Sequence, residues 1–497
     1  MVRKCIFIFA ALLLWTSSAY AADIFGVFRQ ALLNDPLLGS SKYKRSATRG
    51  DRDEVCGRLW PQITVPASYT YYNQGEPGTF LGQGSANTNG AIEGQQAMIG
   101  VALSQTLFDM QKYTACRTGR LRVNQGAMDY EIALEDLIYR VIRDYTDILS
   151  ASDKVLSAGA AVEWRAALLK ETRKSFEAET LSQKDVDAAV AGLKIAEADK
   201  KVADNALSAA VDALEAILNG SVSAEDLSGL REELPMLVPE PPDPYYWADL
   251  AQKENLKLVA SKLSVEKMKY DVEAAASRMY PVVDVFAKHT FFDNNIDRAS
   301  GSLDSDNGSL STDAVGVSFT WPLFTGGSNT AALSAAKDRH EASRKEHEAL
   351  LRSTGAEARK ALLGLISSSA GIEAAKAALA SSQSAYDAVN QGVEAETSTR
   401  TDLLNAQLKL LEARAGFEAS RYGYILGVAE FWRSIGALSP SSIGEINGWL
   451  RNEAAKRTGK PQDAASPLKT NFFNPCTKNG ARSTCPFFIW MRYNDRP

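Results

Sequence analysis

Long apolar runs are missing. No stretch of the 497 residues approaches the ~18 consecutive apolar side chains of a membrane-spanning helix, which excludes an integral helical transporter. Basic excess is missing too: 55 Lys and Arg against 60 Asp and Glu leave a net charge of −5, without the footprint of a nucleic-acid binder. Histidine is scarce, with three residues, and cysteine with five; this excludes a disulfide-built scaffold and gives no metal-site spacing. Neither a phosphate-binding glycine loop nor a nucleophile elbow is present, so no enzyme, cofactor or metal is expected. At 45% hydrophobic and 23% charged, the composition is otherwise that of an ordinary folded chain.

The first residues form an address. Arg3 and Lys4 precede an apolar run over residues 5–15, followed by small residues ending Ala19-Tyr20-Ala21. A charged start, an apolar segment too short to span and an A-x-A site predict a signal peptide over 1–21 and an exported chain. Cys5 leaves with it. Of the remaining Cys56, Cys116, Cys476 and Cys485, two bridges are open in an oxidising compartment, Cys56–Cys116 and Cys476–Cys485, as are four unrelated thiols.

The chain says much the same thing twice. At a shift of 220, residues 31–72 align with 251–292, placing Arg58 on Arg278 and Trp60-Pro61 on Tyr280-Pro281. At 216, Ile99-Gly100-Val101 falls on Val315-Gly316-Val317 and Leu107-Phe108 on Leu323-Phe324. At 217, Glu177-Ala178-Glu179-Thr180 falls on Glu394-Ala395-Glu396-Thr397, and Asp185 on Asp402. Three anchors in one order predict an internal duplication: a first repeat over 22–218, a second over 246–438. Between them, residues 219–245 carry Pro235, Pro239, Pro241, Pro242 and Pro244 and cannot continue a helix, so they are read as an extended linker or an irregular belt. Residues 439–497 read as a largely irregular tail.

Each repeat reads as helix, strand, loop, strand, helix. Ile63, Val65, Ala67, Tyr69 and Tyr71 alternate with polar residues; so do Ile99, Val101, Leu103 and Leu107, then Val283, Val285, Ala287 and Phe291, then Val315, Val317, Phe319, Trp321 and Leu323. Period two with one apolar face predicts four strands of about 10 residues, the length of a tilted strand crossing a bilayer. The joining loops over 73–96 and 293–313 are rich in Gly, Asn, Ser and Asp, which suits the outer side of an outer-membrane barrel. A soluble hairpin sandwich has the same alternation, but four strands in a long helical chain make a poor one.

Elsewhere the chain is Ala-rich and helical. Leu134, Ile138, Val141, Tyr145 and Ile148 step by fours and threes, as do Leu207, Val211, Leu214 and Leu218, and Leu404, Leu408, Leu411 and Ala415. These are coiled-coil seams. A helix over 112–176 would reach roughly 95 Å, a rod projecting beyond any bilayer. Four strands cannot close a membrane barrel, and an open edge in lipid leaves backbone groups unsatisfied, so the barrel is expected to be shared between chains.

This order of features resembles the TolC family of trimeric outer-membrane export ducts. The specific marks are Leu107-Phe108-Asp109, the run from Val315-Gly316-Val317 into Pro322-Leu323-Phe324-Thr325-Gly326-Gly327, and the stretch Thr399-Arg400-Thr401-Asp402-Leu403-Leu404-Asn405. The resemblance implies an α+β membrane protein, with four strands per chain in a shared 12-stranded β-barrel on a long periplasmic α-helical barrel. It implies a homotrimer in outer-membrane lipid, docking to a periplasmic adaptor and an inner-membrane pump or ABC transporter, and a passive exit duct for efflux or type I secretion. It also implies a periplasmic gate at the helical turns, where the family carries Asp-x-x-Asp. Here the first position is Asp402 and the second is Asn405. The first-repeat aspartate maps to Asp185, whose family partners, a Tyr and an Arg, fall on Val393 and Ser398; Arg400 is the neighbouring cation that would replace them. Both aspartates equally fit capping boxes, Ser182-x-x-Asp185 and Thr399-x-x-Asp402, a role needing no pore.

The alternative is a secreted or periplasmic coiled-coil scaffold or adhesin without a channel, which requires the strands to be soluble. His340 and His347 are a heptad apart, too far for helical zinc pairing, and read as a solvated face. His289 occupies a strand face matched by Tyr69 in the first repeat.

Overall fold

The computed structural model describes residues 23–74, 92–298 and 308–450, apart from 232, 238 and 396. The expected signal peptide, most of the first joining loop, the middle of the second and the Cys476–Cys485 question lie outside these residues.

Two short helices open the chain, α1 (Ile24–Asn34) and α2 (Pro36–Gly57). Asp35 ends the first and caps the second, accepting from Leu38 N at 2.7 Å, with Pro36 in the first turn. Strands β1 (Gln62–Thr64), β2 (Ala67–Gln74) and β3 (Ile92–Phe108) follow, then α3 (Met110–Glu177) and α4 (Gln183–Leu218). The second half runs α5 (Pro244–Glu254), α6 (Leu256–Ser277), β4 (Val282–Arg298), β5 (Gly308–Thr320), α7 (Ser328–Glu394) and α8 (Arg400–Ser434). With 68 residues, α3 is about 100 Å long.

The five strands form one antiparallel sheet in the order β1-β3-β4-β5, with β2 also on β3 beyond β1. The first expected strand is thus split in two. Pro66 at the break has no N–H to offer the ladder, while its carbonyl still accepts from Gly100 N at 2.9 Å. The other strands outrun their apolar alternation: β3 begins at Ile92 and β5 at Gly308, inside segments expected to be loop. Backbone pairing does not require apolar side chains, so the pattern marked only the apolar part of each strand.

Register puts the apolar residues on one face. Ile63 pairs with Leu103, Leu103 with Ala287 and Ala287 with Val315. Two residues along, Val101, His289 and Asp313 form a row in which His289 Nδ1 lies 2.6 Å from Asp313 Oδ1. Ile63, Val101, Val315, Val317 and Phe319 are all exposed, Val315 to 82%. Such a face is a surface for lipid or protein, not for water.

The core lies where the two halves meet. Ile138, Val141, Tyr145 and Ile148 of α3 and Leu214 and Leu218 of α4 are buried with Ile24, Phe28, Leu362, Leu365, Ile425 and Val428 in one cluster. Helix α7 holds an 18-residue window of mean hydropathy 1.3, long and apolar enough by composition to cross a membrane; here it packs along α8 as a helical hairpin. Residues 219–243 form an irregular belt pinned to this core. Tyr145 Oη donates to Ser228 O at 2.9 Å, Tyr424 Oη accepts from Leu237 N at 2.6 Å and Trp247 Nε1 donates to Pro241 O at 2.7 Å.

Regular structure does not stop at Leu438, where the irregular tail was expected to begin. A helix α9 (Pro440–Asn447) buries Ile443 and Ile446, and Leu450 bridges to Leu230 of the belt. Eight residues with two apolar anchors are too few to show periodicity.

Candidate functional site

The expected gate residues sit on two helical turns built alike. In the first, α3 ends at Glu177 with Ala178 as its C-cap, Glu179 takes a left-handed φ of 60°, and Thr180 closes the turn on Ser175 O through both N (2.9 Å) and Oγ1 (2.7 Å). In the second, Thr397 closes on Gly392 O through N (2.8 Å) and Oγ1 (3.1 Å). Both are Schellman-type endings, with a long-range amide bond satisfying an orphan carbonyl. Thr180 and Thr397, which the alignment of the two halves matches, are therefore turn residues, a role that matching the two segments alone did not reveal.

The next helices start with capping boxes. Asp185 accepts from Ser182 N at 2.9 Å and Ser182 Oγ at 2.7 Å. Asp402 accepts from Thr399 N at 3.0 Å and Thr399 Oγ1 at 2.6 Å, while Asp402 N donates back to Thr399 Oγ1 at 3.1 Å. The serine and threonine bonds hold both carboxyls below the ordinary aspartate value. Both stay ionised through neutral pH, and their capping contribution is lost only as the pH falls through the depressed folded value.

Asp402 is exposed on the first turn of α8, Asn405 on the second, and Arg400 is exposed at its first residue. Val393 and Ser398 are half-buried. Ser398 N bonds Gly392 O at 3.0 Å, and a side chain at 392 would collide with Ser398 Oγ. Among the described residues, no hydrogen bond or ion pair joins Asp185 to Val393, Ser398 or Arg400.

Other chemistry lies away from the turns. A cleft of about 420 Å³ opens between α3, the belt and α8, beside Asp153, Glu418, Arg421 and Tyr422. These side chains are engaged with one another or with the belt: Tyr422 Oη donates to Asp153 at 2.6 Å, and Arg421 pairs with Glu418 and the Arg231 carbonyl. His347 Nδ1 lies 3.1 Å from Ser261 Oγ, and His340 Nδ1 lies 3.8 Å from Glu341. Where α2 and α3 meet the sheet, Cys56 and Cys116 form a disulfide with Cα atoms 4.7 Å apart, closing one pairing that the sequence left open.

Residues 27–220 and 247–427 match the family described as outer membrane efflux protein. The chain is 25% identical over 446 residues to outer membrane protein TolC of Vibrio cholerae, covering 90% of this chain and 98% of that protein. It is 25% identical over 478 residues to alkaline protease secretion protein AprF of Pseudomonas aeruginosa, covering 95% and 97%. The Campylobacter jejuni CmeC outer membrane channel superposes with a TM-score of 0.66 at 18% identity, over 87% of this chain and 90% of that one.

Proposed function

The chain belongs to the outer membrane efflux protein family, and from that premise we propose that it is a homotrimeric exit duct. It sits in the outer membrane with a helical part in the periplasm, serving efflux or type I secretion. Each protomer contributes one β1–β5 sheet, the split β1 and β2 acting as a single strand, to a 12-stranded barrel. The observation that carries this reading is the sheet itself. Its apolar face is exposed, and β5 on one side and β1 with β2 on the other have no further strand partner among the described residues. Backbone edges of that kind are not stable in lipid, and closure with two further copies satisfies them.

Two aligned halves with the same order of helices and strands support an origin by duplication. Conduction is passive, with energy and cargo choice supplied by an inner-membrane pump or ABC transporter through a periplasmic adaptor. The scaffold or adhesin alternative is not favoured, because the chain belongs to the outer membrane efflux protein family and is similar to a protein named for protease secretion.

Three Asp402 carboxylates, ionised by their capping bonds, make an acidic ring at the periplasmic end that favours cations. Asn405 adds no charge to it, and Asp185 and Arg400 flank it. Two measurements test this reading. The detergent-purified protein is expected to have the mass of a trimer and to give small, cation-selective currents in planar bilayers; a soluble species without conductance sinks it. Asp402→Asn keeps an acceptor for Thr399 N, so the helix start survives while the charge goes. Its expected effect is a larger conductance or a weaker block by multivalent cations, and unchanged current and block remove the gate assignment.

A further inference from the structure

The far end of α8, opposite Asp402, is held in a corner of unusual charge arrangement. Asp136 of α3 takes Arg433 Nη2 on one oxygen at 2.8 Å and Arg140 Nε on the other at 3.1 Å. Arg140 in turn forks onto both oxygens of Asp35, each at 3.0 Å. On the other side, Asn255 at the start of α6 donates to Ser434 O at 3.2 Å. Gly436, with a φ of +71°, sits so close to the Glu254 carbonyl that a Cβ would fall 2.6 Å from its oxygen. The last turn of α8 is thus wedged between α3 and the α5–α6 corner.

Glu135 lies inside this wedge. It is 5% exposed, and its Oε1 finds no hydrogen-bond partner among the described residues. The charged groups facing it are Arg433 from α8, Lys257 from α6 and Asp136 from its own helix. Arg433 is already committed to Asp136 and lies over the Tyr139 ring at 4.7 Å, where Glu430 also acts on the phenol. Ionised Glu135 therefore has to compete with Asp136 for Arg433, draw the Lys257 ammonium in from α6, or remain an unpaired buried charge. Each of these rearranges the corner or costs desolvation.

We propose that Glu135 is a proton-sensitive pin of this corner, packed and silent when neutral, and loosening the attachment of the end of α8 when ionised. Burial raises its carboxyl to about 7, in spite of Arg433 and Lys257. Because the folded value lies above the ordinary 4.5, the stabilisation is complete below about 4.5 and is lost as the pH rises through about 7. An exported protein meets that range whenever its surroundings shift between mild acid and mild base.

The test uses the full chain, purified in detergent, with melting followed by far-UV circular dichroism at pH 5.5 and 8.5. The wild type is expected to melt several degrees lower at pH 8.5. Glu135→Gln is expected to abolish that drop and to melt at or above the wild type at pH 8.5; Glu135→Met, apolar and of similar length, serves where Gln misfolds. Hydrogen exchange over residues 430–436 of the wild type, corrected for intrinsic rates, is expected to lose protection between pH 6 and 8. Parallel melting of wild type and variant across pH, or protection that does not change, overturns the proposal.

Discussion

The sheet is entered from α2 and left into α3 in the first half, and entered from α6 and left into α7 in the second. These two junctions solve one problem with different chemistry. In both, the incoming helix ends in a tight turn: Leu59 N bonds Cys56 O at 3.1 Å and Trp60 N bonds Gly57 O at 3.0 Å, while Met279 and Tyr280 bond Ala276 and Ser277, each at 3.1 Å. In both, a side chain from the outgoing strand end reaches back to the turn. Gln105 Nε2 donates to Leu59 O at 2.9 Å, and Trp321 Nε1 donates to Met279 O at 3.1 Å. The shift of 216 that aligns the strands also aligns Gln105 with Trp321. One bond is made with an amide and the other with an indole.

What differs is how closely the helices approach. In the first junction Gly119 and Gly126 of α3 lie against α2, where a Cβ would stand 3.0 Å from Val55 Cγ2 and 2.9 Å from Thr48 Oγ1. Their counterparts in α7 are Ala336 and Ser343, both buried but each carrying a Cβ. The glycine pair allows the close packing, and the disulfide sits one turn from Gly119. Helix α2 buries little of its own, Leu38 alone among its side chains being fully buried. A covalent link thus stands in for apolar contact that the first junction lacks.

Removing that link is the strongest way to break the comparison. With Cys56 and Cys116 separated by 60 positions, loop-closure entropy gives about 4 kcal/mol as an upper expectation. Cys56→Ser with Cys116→Ser is expected to lower the unfolding midpoint markedly under oxidising conditions and to make added reductant irrelevant. A double variant as stable as the wild type shows that the first junction holds by packing alone. Next in size is Gly119→Leu. Overpacking against Val55 and the Arg52 backbone costs about 2 kcal/mol, partly offset by under 1 kcal/mol of helix propensity. Ala336→Leu at the second junction is the control, and equal losses at both sites remove the argument that only the first helix pair depends on glycine.

Much of this was legible beforehand, and the exceptions have physical causes. The seams through Ile138, Tyr145 and Leu214 were visible because burial on a helix repeats every three or four residues, and those residues form the core. The sheet was visible wherever one face is apolar, and invisible over 92–98 and 308–314, where the ladder runs on without a regular apolar alternation. Pro66 broke the first strand for want of one N–H. Glu135 was hidden because a carboxylate between Leu134 and Asp136 reads as helix surface. The turn residues Asp185 and Asp402 were placed correctly as helix caps, whereas a ring across a pore is a property of several chains and cannot be read from one. Thr180 and Thr397 close their turns through local bonds to carbonyls five residues back, which leave no periodic mark in the sequence.

The smallest predicted effect is the most discriminating. Trp321→Phe keeps an aromatic ring at the end of the sheet and deletes one half-exposed bond, an expected loss of about 0.5–1 kcal/mol. Gln105→Leu deletes its counterpart and also the local Nε2 bond to Thr106 O at 2.9 Å, for a similar or slightly larger loss. If the two bonds play the same local role, each single loss is similar and the double variant is additive, because the bonds belong to separate junctions. Combined with the cysteine double variant, the two diverge. Gln105→Leu shares a junction with the disulfide: its bond fixes the turn that follows Cys56, so the combined loss departs from the sum, while Trp321→Phe still adds. The measurement is a set of urea midpoints on the purified protein, read as a double-mutant cycle. Coupling of Trp321 to the disulfide, or its absence for Gln105, means that the junctions act as one unit and that the covalent link stabilises the whole sheet rather than its first entrance.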